Sequence, residues 1–234
     1  MATMIQELEL LSLSEVRLAL EGVRSLEFFW VQRHLPLPYY TLGAASYLDA
    51  IEDSENYHRI AEVINPVLIH KFNWLYESVR RSIQEFLGEP VQYSERFARP
   101  GFHVLKAHAW FTLPFATIHA DEHFKLLDWS GFKNPDFSRP FSFTLPLKLP
   151  FYGGGLDLWG IEFNEIRGYS RDERRTVLEQ LPAEYLPYRA GCLVIVPGLP
   201  MHRMASFSNI QPDDERITLQ GHGLWTGKEW VLYW

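Results

Sequence analysis

Three polar residues in the second half of the chain have the types and placement of a metal site. His119 and Asp121 stand two residues apart at the end of the run LPFATIHAD, and His202 follows the apolar run GCLVIVP (191–197). Residues two apart in an extended segment point to the same side, so the imidazole of His119 and the carboxylate of Asp121 converge. Two neutral imidazoles and one carboxylate can bind a metal ion on one face and leave its other positions open. His119, Asp121 and His202 are therefore candidate metal ligands and catalytic residues.

A site for an anion is indicated by Arg216 and Thr218, which open the run RITLQGHGLW (216–225). Alternation along a strand places four polar residues on one face: Arg216, Thr218, Gln220 and His222. If this face lines the interior, the buried guanidinium needs a partner, and it binds a carboxylate through two parallel hydrogen bonds. The threonine hydroxyl can add a third. The alternative is an exposed edge strand in which Arg216 pairs with Asp214 or Glu215.

Further polar residues near these motifs are candidates for lining the same pocket. His123 continues the alternation of His119 and Asp121, so it could replace one of them or lie just outside the ligands. One residue of the run FHVLKAHAWF (102–111) could contact a cosubstrate or substrate, although the run could equally present these side chains to solvent. The full set of pocket candidates is His103, Lys106, His108, His123, Trp159, Gln220 and His222.

The first third of the chain has the apolar spacing of helices. Apolar residues recur at intervals of three and four after Ser14, which predicts a helix that begins at Ser14 and ends before Pro36. Two further helices are expected at 57–64 and at about 66–87. The connector PYYTLGAASYLDA (38–50) joins the first helix to the second and carries no recognisable motif.

Beyond about residue 90 the pattern changes to short apolar runs separated by Gly and Pro. Six runs are predicted as strands: 102–111, 141–149, 156–163, 191–197, 216–225 and 229–234. A helix at 171–180 interrupts them. This order predicts a helical N-terminal segment over residues 1–90, packed on a β-sandwich or barrel over residues 91–234, in a single compact domain.

Taken in chain order, the motifs resemble those of the 2-oxoglutarate/Fe(II)-dependent oxygenases. The chain has His119-x-Asp121, then GGGLDLW (153–159), then YRAGCLVIVPGLPMHRM (188–204), and finally Arg216-x-Thr218. The resemblance implies a mainly β fold with N-terminal helices (α+β) and a double-stranded β-helix core of the jelly-roll or cupin type. It also implies that the three candidate ligands hold Fe(II). Arg216, helped by Thr218, would bind the C5 carboxylate of 2-oxoglutarate, with O₂ as the second cosubstrate.

The same resemblance implies a dioxygenase that hydroxylates an aliphatic C–H bond of a small molecule, such as an amino acid or natural product. The carboxylate of Asp121 favours hydroxylation, because related halogenases have a small residue at this position. One alternative is the same chemistry on a protein or peptide side chain. Another is a non-oxidative cupin-like metal-binding protein or a metal hydrolase, since Zn²⁺ also accepts two histidines and a carboxylate.

Composition limits the other classes of function. Among 234 residues there are 22 Lys and Arg against 29 Asp and Glu, a net charge of −7 that argues against nucleic-acid binding. The single cysteine, Cys192, excludes an intramolecular disulfide framework and a cysteine-rich zinc site. No signal peptide and no membrane-length apolar run is present in the sequence. We therefore expect a cytoplasmic protein that acts on a small-molecule substrate, without nucleic-acid or membrane partners. The oligomeric state stays open.

Overall fold

The computed structural model describes residues 5–51, 53–114 and 116–234. Its helices and strands follow in the order β1 (Gln6–Glu9), α1 (Leu13–Ser25), β2 (Val31–Gln32), β3 (Tyr39–Leu42), α2 (Ser46–Asp49), α3 (Ser54–Leu87), β4 (Val91–Tyr93), β5 (Gly101–Lys106), β6 (Asp136–Lys148), β7 (Leu156–Glu162), α4 (Phe163–Ile166), α5 (Arg171–Gln180), β8 (Ala183–Leu186), β9 (Cys192–Pro197), β10 (Pro200–Met204), β11 (Glu215–Trp225) and β12 (Trp230–Tyr233). Among the helices of these ranges, none is both long and apolar enough to cross a membrane.

The helices of the N-terminal segment differ from their predicted bounds. The first helix, α1, is capped by Ser12 rather than Ser14, because Ser12 and Glu15 each accept a hydrogen bond from the other's backbone N–H. The two helices predicted around Pro66 form the single helix α3. Its backbone departs from helical geometry at Phe72, not at the proline.

The strands form two sheets that face each other. The larger has nine strands in the order β1-β9-β6-β11-β5-β3-β2, with β12 beside β11 and β4 parallel to β12. The smaller has the order β10-β7-β8 and is antiparallel throughout. Because β1, β2 and β3 belong to the larger sheet, the first 90 residues contribute strands to the core as well as helices. The predicted strand over 102–111 ends at Lys106, and a 3-10 turn (Ala109–Thr112) follows.

The outer face of the larger sheet packs against the helices. Leu219 and Ile217 of β11 are fully buried in one apolar cluster with Leu68 and Leu75 of α3. Residues of β11 at even numbers point to the opposite side, because side chains alternate along a strand. The inner face of β11 therefore presents Arg216 and the residues that alternate with it to the space between the two sheets.

Candidate metal centre and anion pocket

The two histidines of the predicted triad face each other across a pair of backbone hydrogen bonds. The N–H of His119 donates to the carbonyl of His202 over 2.9 Å, and the N–H of His202 donates back over 2.8 Å. Asp121 completes the group: its Oδ1 lies 3.6 Å from Nε2 of His119, and its Oδ2 lies 3.6 Å from Nε2 of His202. The structure therefore brings the three predicted ligands together, on the segment 119–121 and on β10.

In both imidazoles, Nε2 is available to bind a metal ion, because Nδ1 carries the hydrogen bond. Nδ1 of His119 donates to the carbonyl of Thr117 over 2.8 Å, and Nδ1 of His202 donates to the carbonyl of Pro200 over 2.9 Å. These bonds fix the tautomer and leave the lone pair on each Nε2. One donor atom from each residue of the triad lies within 4.8 Å of the other two. Metal bonds of about 2.1 Å place neighbouring ligands on one face of an ion about 3 Å apart, and the Asp121 oxygens lie 3.6 Å from both Nε2 atoms. This nitrogen and oxygen set therefore fits a divalent ion such as Fe(II).

The electrostatics of the triad favour a bound cation. Burial would raise the pKa of Asp121, but His202, His119 and His123 outweigh this effect and hold the pKa well below its usual range. Burial likewise would lower the pKa of His119, and the Asp121 carboxylate reverses that effect and raises it. Asp121 therefore carries a negative charge although its side chain is only 13% exposed.

His123 lies directly beside the triad, at the start of a 3-10 turn (His123–Leu126). Its Nε2 donates to Oδ1 of Asp121 over 3.1 Å. The sequence left open whether His123 would replace a ligand or lie just outside. In the structure it is bonded to the carboxylate itself.

Arg216 is a buried cation on the inner face of β11, with only 2% of its surface exposed. Its Nε donates to the carbonyl of Gly154 over 2.7 Å, and its Nη1 donates to Oγ1 of Thr218 over 3.2 Å. No carboxylate among the described residues pairs with it. Burial lowers the pKa of Arg216, but a guanidinium remains protonated in proteins. Since a buried charge without an opposite charge is costly, Arg216 is a candidate to bind an anion.

The alternative partners considered for Arg216 are engaged elsewhere. Glu215 accepts hydrogen bonds from Lys148 and Arg24. Asp214 accepts from the backbone N–H of Phe151 and of Gln211. The exposed-edge interpretation of this strand is therefore wrong.

The glycine run before β7 lies against the side chain of Arg216. Gly154 has φ of 73°, a left-handed conformation that favours glycine, and a Cβ there would lie 2.8 Å from the ring of Pro150. This conformation places the Gly154 carbonyl on the guanidinium of Arg216.

Three other predicted pocket residues lie close to the triad or to Arg216. His103 of β5 stands opposite Thr218, and its Nε2 bonds to the hydroxyl groups of Tyr39, over 3.1 Å, and Tyr47. Burial and the nearby Arg216 lower the pKa of His103 well below its usual range, so its ring is neutral. Nε2 of Gln220 donates to Oγ1 of Thr218 over 3.4 Å.

His222 is the third of these residues, and its Nδ1 lies 4.0 Å from Oδ2 of Asp121. Within the described part of the chain, neither of its ring nitrogens has a hydrogen-bond partner. Burial lowers the pKa of His222 to about 3, which keeps the ring neutral.

Three predicted pocket residues are placed elsewhere by the structure. Lys106 is on the outer face of β5, where its Nζ pairs with Glu27 over 2.9 Å. His108 accepts a hydrogen bond from the backbone of Trp110 at a 3-10 turn. Trp159 packs under α5, donating to the carbonyl of Leu178 over 3.1 Å. Lys106 and His108 were predicted from their nearness in sequence to the triad, which does not decide to which side of a strand a residue points. Trp159 was predicted because a tryptophan can stack on a substrate, but here its ring is part of the core.

Several tyrosines near the triad and near Arg216 were not predicted from the sequence. Tyr39 and Tyr47 come from the connector, and the ring of Tyr188 lies 5.8 Å from Cζ of Arg216. Tyr233 is paired with His222 across β11 and β12, and its hydroxyl is buried. No motif marks these tyrosines, because aromatic residues also fill cores.

No family model and no curated protein matches this sequence, but solved structures resemble its fold. An N-substituted L-amino acid dioxygenase from Burkholderia ambifaria, in complex with α-ketoglutarate, superposes with a TM-score of 0.55 at 13% identity, over 98% of this chain and 85% of that one. The non-heme α-ketoglutarate-dependent epimerase SnoN from nogalamycin biosynthesis superposes with a TM-score of 0.55 at 14% identity, over 94% and 77% of the chains. The carbocyclase SnoK from the same biosynthesis gives 0.51 at 14%, over 95% and 79%.

The predicted fold class is confirmed by these likenesses. The chain is mainly antiparallel β with helices, and its core has the double-stranded β-helix architecture predicted from the motifs.

Proposed function

We propose that this chain is a non-haem Fe(II), 2-oxoglutarate-dependent oxygenase that hydroxylates an aliphatic C–H bond of a small molecule. One observation carries the proposal: a His-Asp-His donor set faces the same interior as a buried arginine that has no acidic partner among the described residues. The donor set alone would equally suit Zn²⁺, and the arginine alone would equally suit any small anion. Together they fit a metal ion and a dicarboxylate bound side by side.

The two sites are linked by a short series of contacts. Thr218, which bonds to Arg216, stands opposite His103. The hydroxyl of Tyr47 bonds to His103, and the Tyr47 ring packs on His123, which donates to Asp121. A ligand that reached from Arg216 to the metal centre would lie along these side chains.

Each residue has a distinct role in the proposed enzyme. His119, Asp121 and His202 would hold Fe(II), and Arg216 with Thr218 would bind the C5 carboxylate of 2-oxoglutarate. Bound iron, together with 2-oxoglutarate and O₂, supplies the oxidising power to break an unactivated C–H bond.

The protein supplies placement and a shielded interior. Of the three ligand side chains, His202 is 8% exposed and Asp121 13%, whereas His119 is 39% exposed. We therefore place the approach of the substrate on the His119 side. Arg216, which is 2% exposed and held by Gly154 and Thr218, would bind its carboxylate away from solvent.

An amino acid or a natural product is the substrate class that we propose. Its support is the likeness to an amino acid dioxygenase and to two enzymes of nogalamycin biosynthesis. Among the possible oxidations, hydroxylation is favoured by the carboxylate of Asp121, which keeps that ligand position occupied.

A screen for substrate-stimulated succinate formation tests the function. Native protein with Fe(II), 2-oxoglutarate and O₂ is expected to form succinate faster when one member of a panel of amino acids and natural products is added. Asp121→Ala should abolish product-coupled succinate release, because a metal ligand is lost. Asp172→Ala, which changes an exposed carboxylate on α5, should leave it unchanged. Equal coupled turnover in Asp121→Ala would contradict the proposal.

A further inference from the structure

The connector of residues 38–50 reaches the metal centre through Tyr47 of α2. The ring of Tyr47 packs on the ring of His123, with centroids 4.6 Å apart and planes inclined by 35°. His123 in turn donates from Nε2 to Oδ1 of Asp121 over 3.1 Å. A residue of the N-terminal segment is therefore separated from the metal carboxylate by one side chain.

Tyr47 is held firmly in this position. Its hydroxyl bonds to Nε2 of His103. The helix that carries it is fixed by Asp49, whose side chain is 5% exposed and takes two parallel hydrogen bonds from Arg33 over 2.7 and 2.8 Å. Asp49 also accepts from the backbone N–H of Ala45. A buried bidentate pair of this kind restricts orientation strongly, so α2 is a rigid support.

His123 is also held by a second ring and engages one particular oxygen of Asp121. The ring of His222 lies edge-on to it, with centroids 4.9 Å apart. The other oxygen, Oδ2, lies 3.6 Å from Nε2 of His202 and 4.0 Å from Nδ1 of His222, distances too long for hydrogen bonds. Oδ1 is thus occupied by a protein donor, and Oδ2 is left available to a metal ion.

We propose that His123 is a positioning residue for Asp121 and that Tyr47 holds His123 in place, so that the connector is part of the metal centre. The inference rests on the metal site of the proposed function. Its physical basis is that a carboxylate held through one oxygen cannot rotate away, so less ordering is required when the metal binds. The contact between the rings of Tyr47 and His123 does more than fill space, because it fixes the direction of the His123 N–H.

Binding of Co(II) alone, measured by calorimetry and by the visible absorption of the bound ion, tests the inference without turnover. His123→Leu removes the donor and should weaken Co(II) binding about 10- to 100-fold, the usual effect of losing a group that orients a ligand. His123→Gln keeps an N–H donor and should restore most of the affinity. Tyr47→Leu should weaken binding about 2- to 10-fold, the equivalent of one aromatic pair. Tyr47→Phe keeps the ring but loses the hydroxyl bond to His103, so it should weaken binding less than Tyr47→Leu does.

His70→Leu, a change at an exposed histidine of α3, is the matched control and should bind Co(II) normally. Thermal unfolding of each variant shows whether it is folded, and the comparison of His123→Gln with His123→Leu separates positioning from folding. Native-like affinity in His123→Leu would overturn the inference. A loss as complete as that of His119→Ala, with a changed Co(II) spectrum, would also overturn it, because His123 would then be a ligand.

The outcomes separate this inference from the proposed function. If native protein binds Co(II) with the expected ranking of variants but forms no succinate, the oxygenase function fails and the positioning role stands. If succinate forms but His123→Leu binds Co(II) normally, the positioning role fails alone. If native protein binds no Co(II), both are overturned.

Discussion

The two faces of β11 are buried to the same degree but have opposite chemistry. Leu219 and Ile217 on the outer face are fully buried against the helices, and Thr218 and Arg216 on the inner face are 0% and 2% exposed. Burial of the outer face stabilises the fold, because apolar surface leaves water. Burial of the inner face brings no such gain, since polar groups must be compensated by partners. The comparison shows that one strand buries apolar side chains on one side and polar side chains on the other.

Close packing distinguishes the outer face further. The glycines at 221 and 223 leave room there for the rings of Phe143 and Phe141, and a Cβ at Gly223 would lie 2.2 Å from the Phe141 ring. On the inner face, His222 has no hydrogen-bond partner among the described residues. The outer face is therefore closely packed, whereas the inner face leaves a buried polar side chain without a hydrogen-bond partner among the described residues.

The largest expected effect on stability comes from the outer face. Leu219→Ala removes a fully buried side chain and should lower the free energy of unfolding by about 2–5 kcal/mol, as measured by urea denaturation. Its inner-face neighbour, in the variant Thr218→Val, is the comparison and should lower that free energy by about 1 kcal/mol, the scale of one hydrogen bond. If the two variants lost equal stability, the contrast between the faces would fail.

Thr218→Val should instead affect binding. Its hydroxyl accepts from Arg216 and is placed to donate to a carboxylate held by the guanidinium. Its loss should raise the 2-oxoglutarate concentration needed for half-maximal turnover about 3- to 10-fold, the scale of one hydrogen bond. A steady-state titration of 2-oxoglutarate measures this. An unchanged requirement would mean that Thr218 does not meet the cosubstrate.

The smallest effect is expected at Lys106, which the sequence placed among the pocket candidates. Its ion pair with Glu27 is exposed, and such pairs contribute about 0–1 kcal/mol. Lys106→Ala should leave the 2-oxoglutarate requirement unchanged and change the free energy of unfolding by less than about 1 kcal/mol. A raised 2-oxoglutarate requirement in this variant would contradict this placement and indicate that Lys106 contacts the cosubstrate.

Elements with strong local signals could be predicted from the sequence. The helix α5 has the predicted bounds, and β11 agrees within one residue, because charge pattern and alternation persist over their whole length. The strands β1 and β3 were missed. Each has four residues, too few for a period to be recognised. The single helix through Pro66 was missed because burial of α3 against the sheet outweighs the cost of the proline.

The site residues likewise fall into those that a local pattern predicts and those that it does not. Spacing within one segment was enough to suggest His119 with Asp121, and Arg216 with Thr218, since alternation fixes the side to which each points. Spacing within a segment could not predict the contacts that depend on tertiary packing. Tyr47 meets His123 only because Arg33 and Asp49 fix α2 over the barrel, and no local pattern records that.

The central claim is that Arg216 is kept buried to bind 2-oxoglutarate beside an Fe(II) centre. Its most direct test is the anaerobic titration of the Fe(II)-loaded protein with 2-oxoglutarate, followed by visible absorption, in native protein and in Arg216→Met. Native protein should develop a metal-to-ligand charge-transfer band. Arg216→Met should need at least about 30-fold more 2-oxoglutarate while unfolding with equal or greater free energy. Superimposable titrations of the two proteins, or no band in native protein while Zn²⁺ binds tightly, would contradict the account.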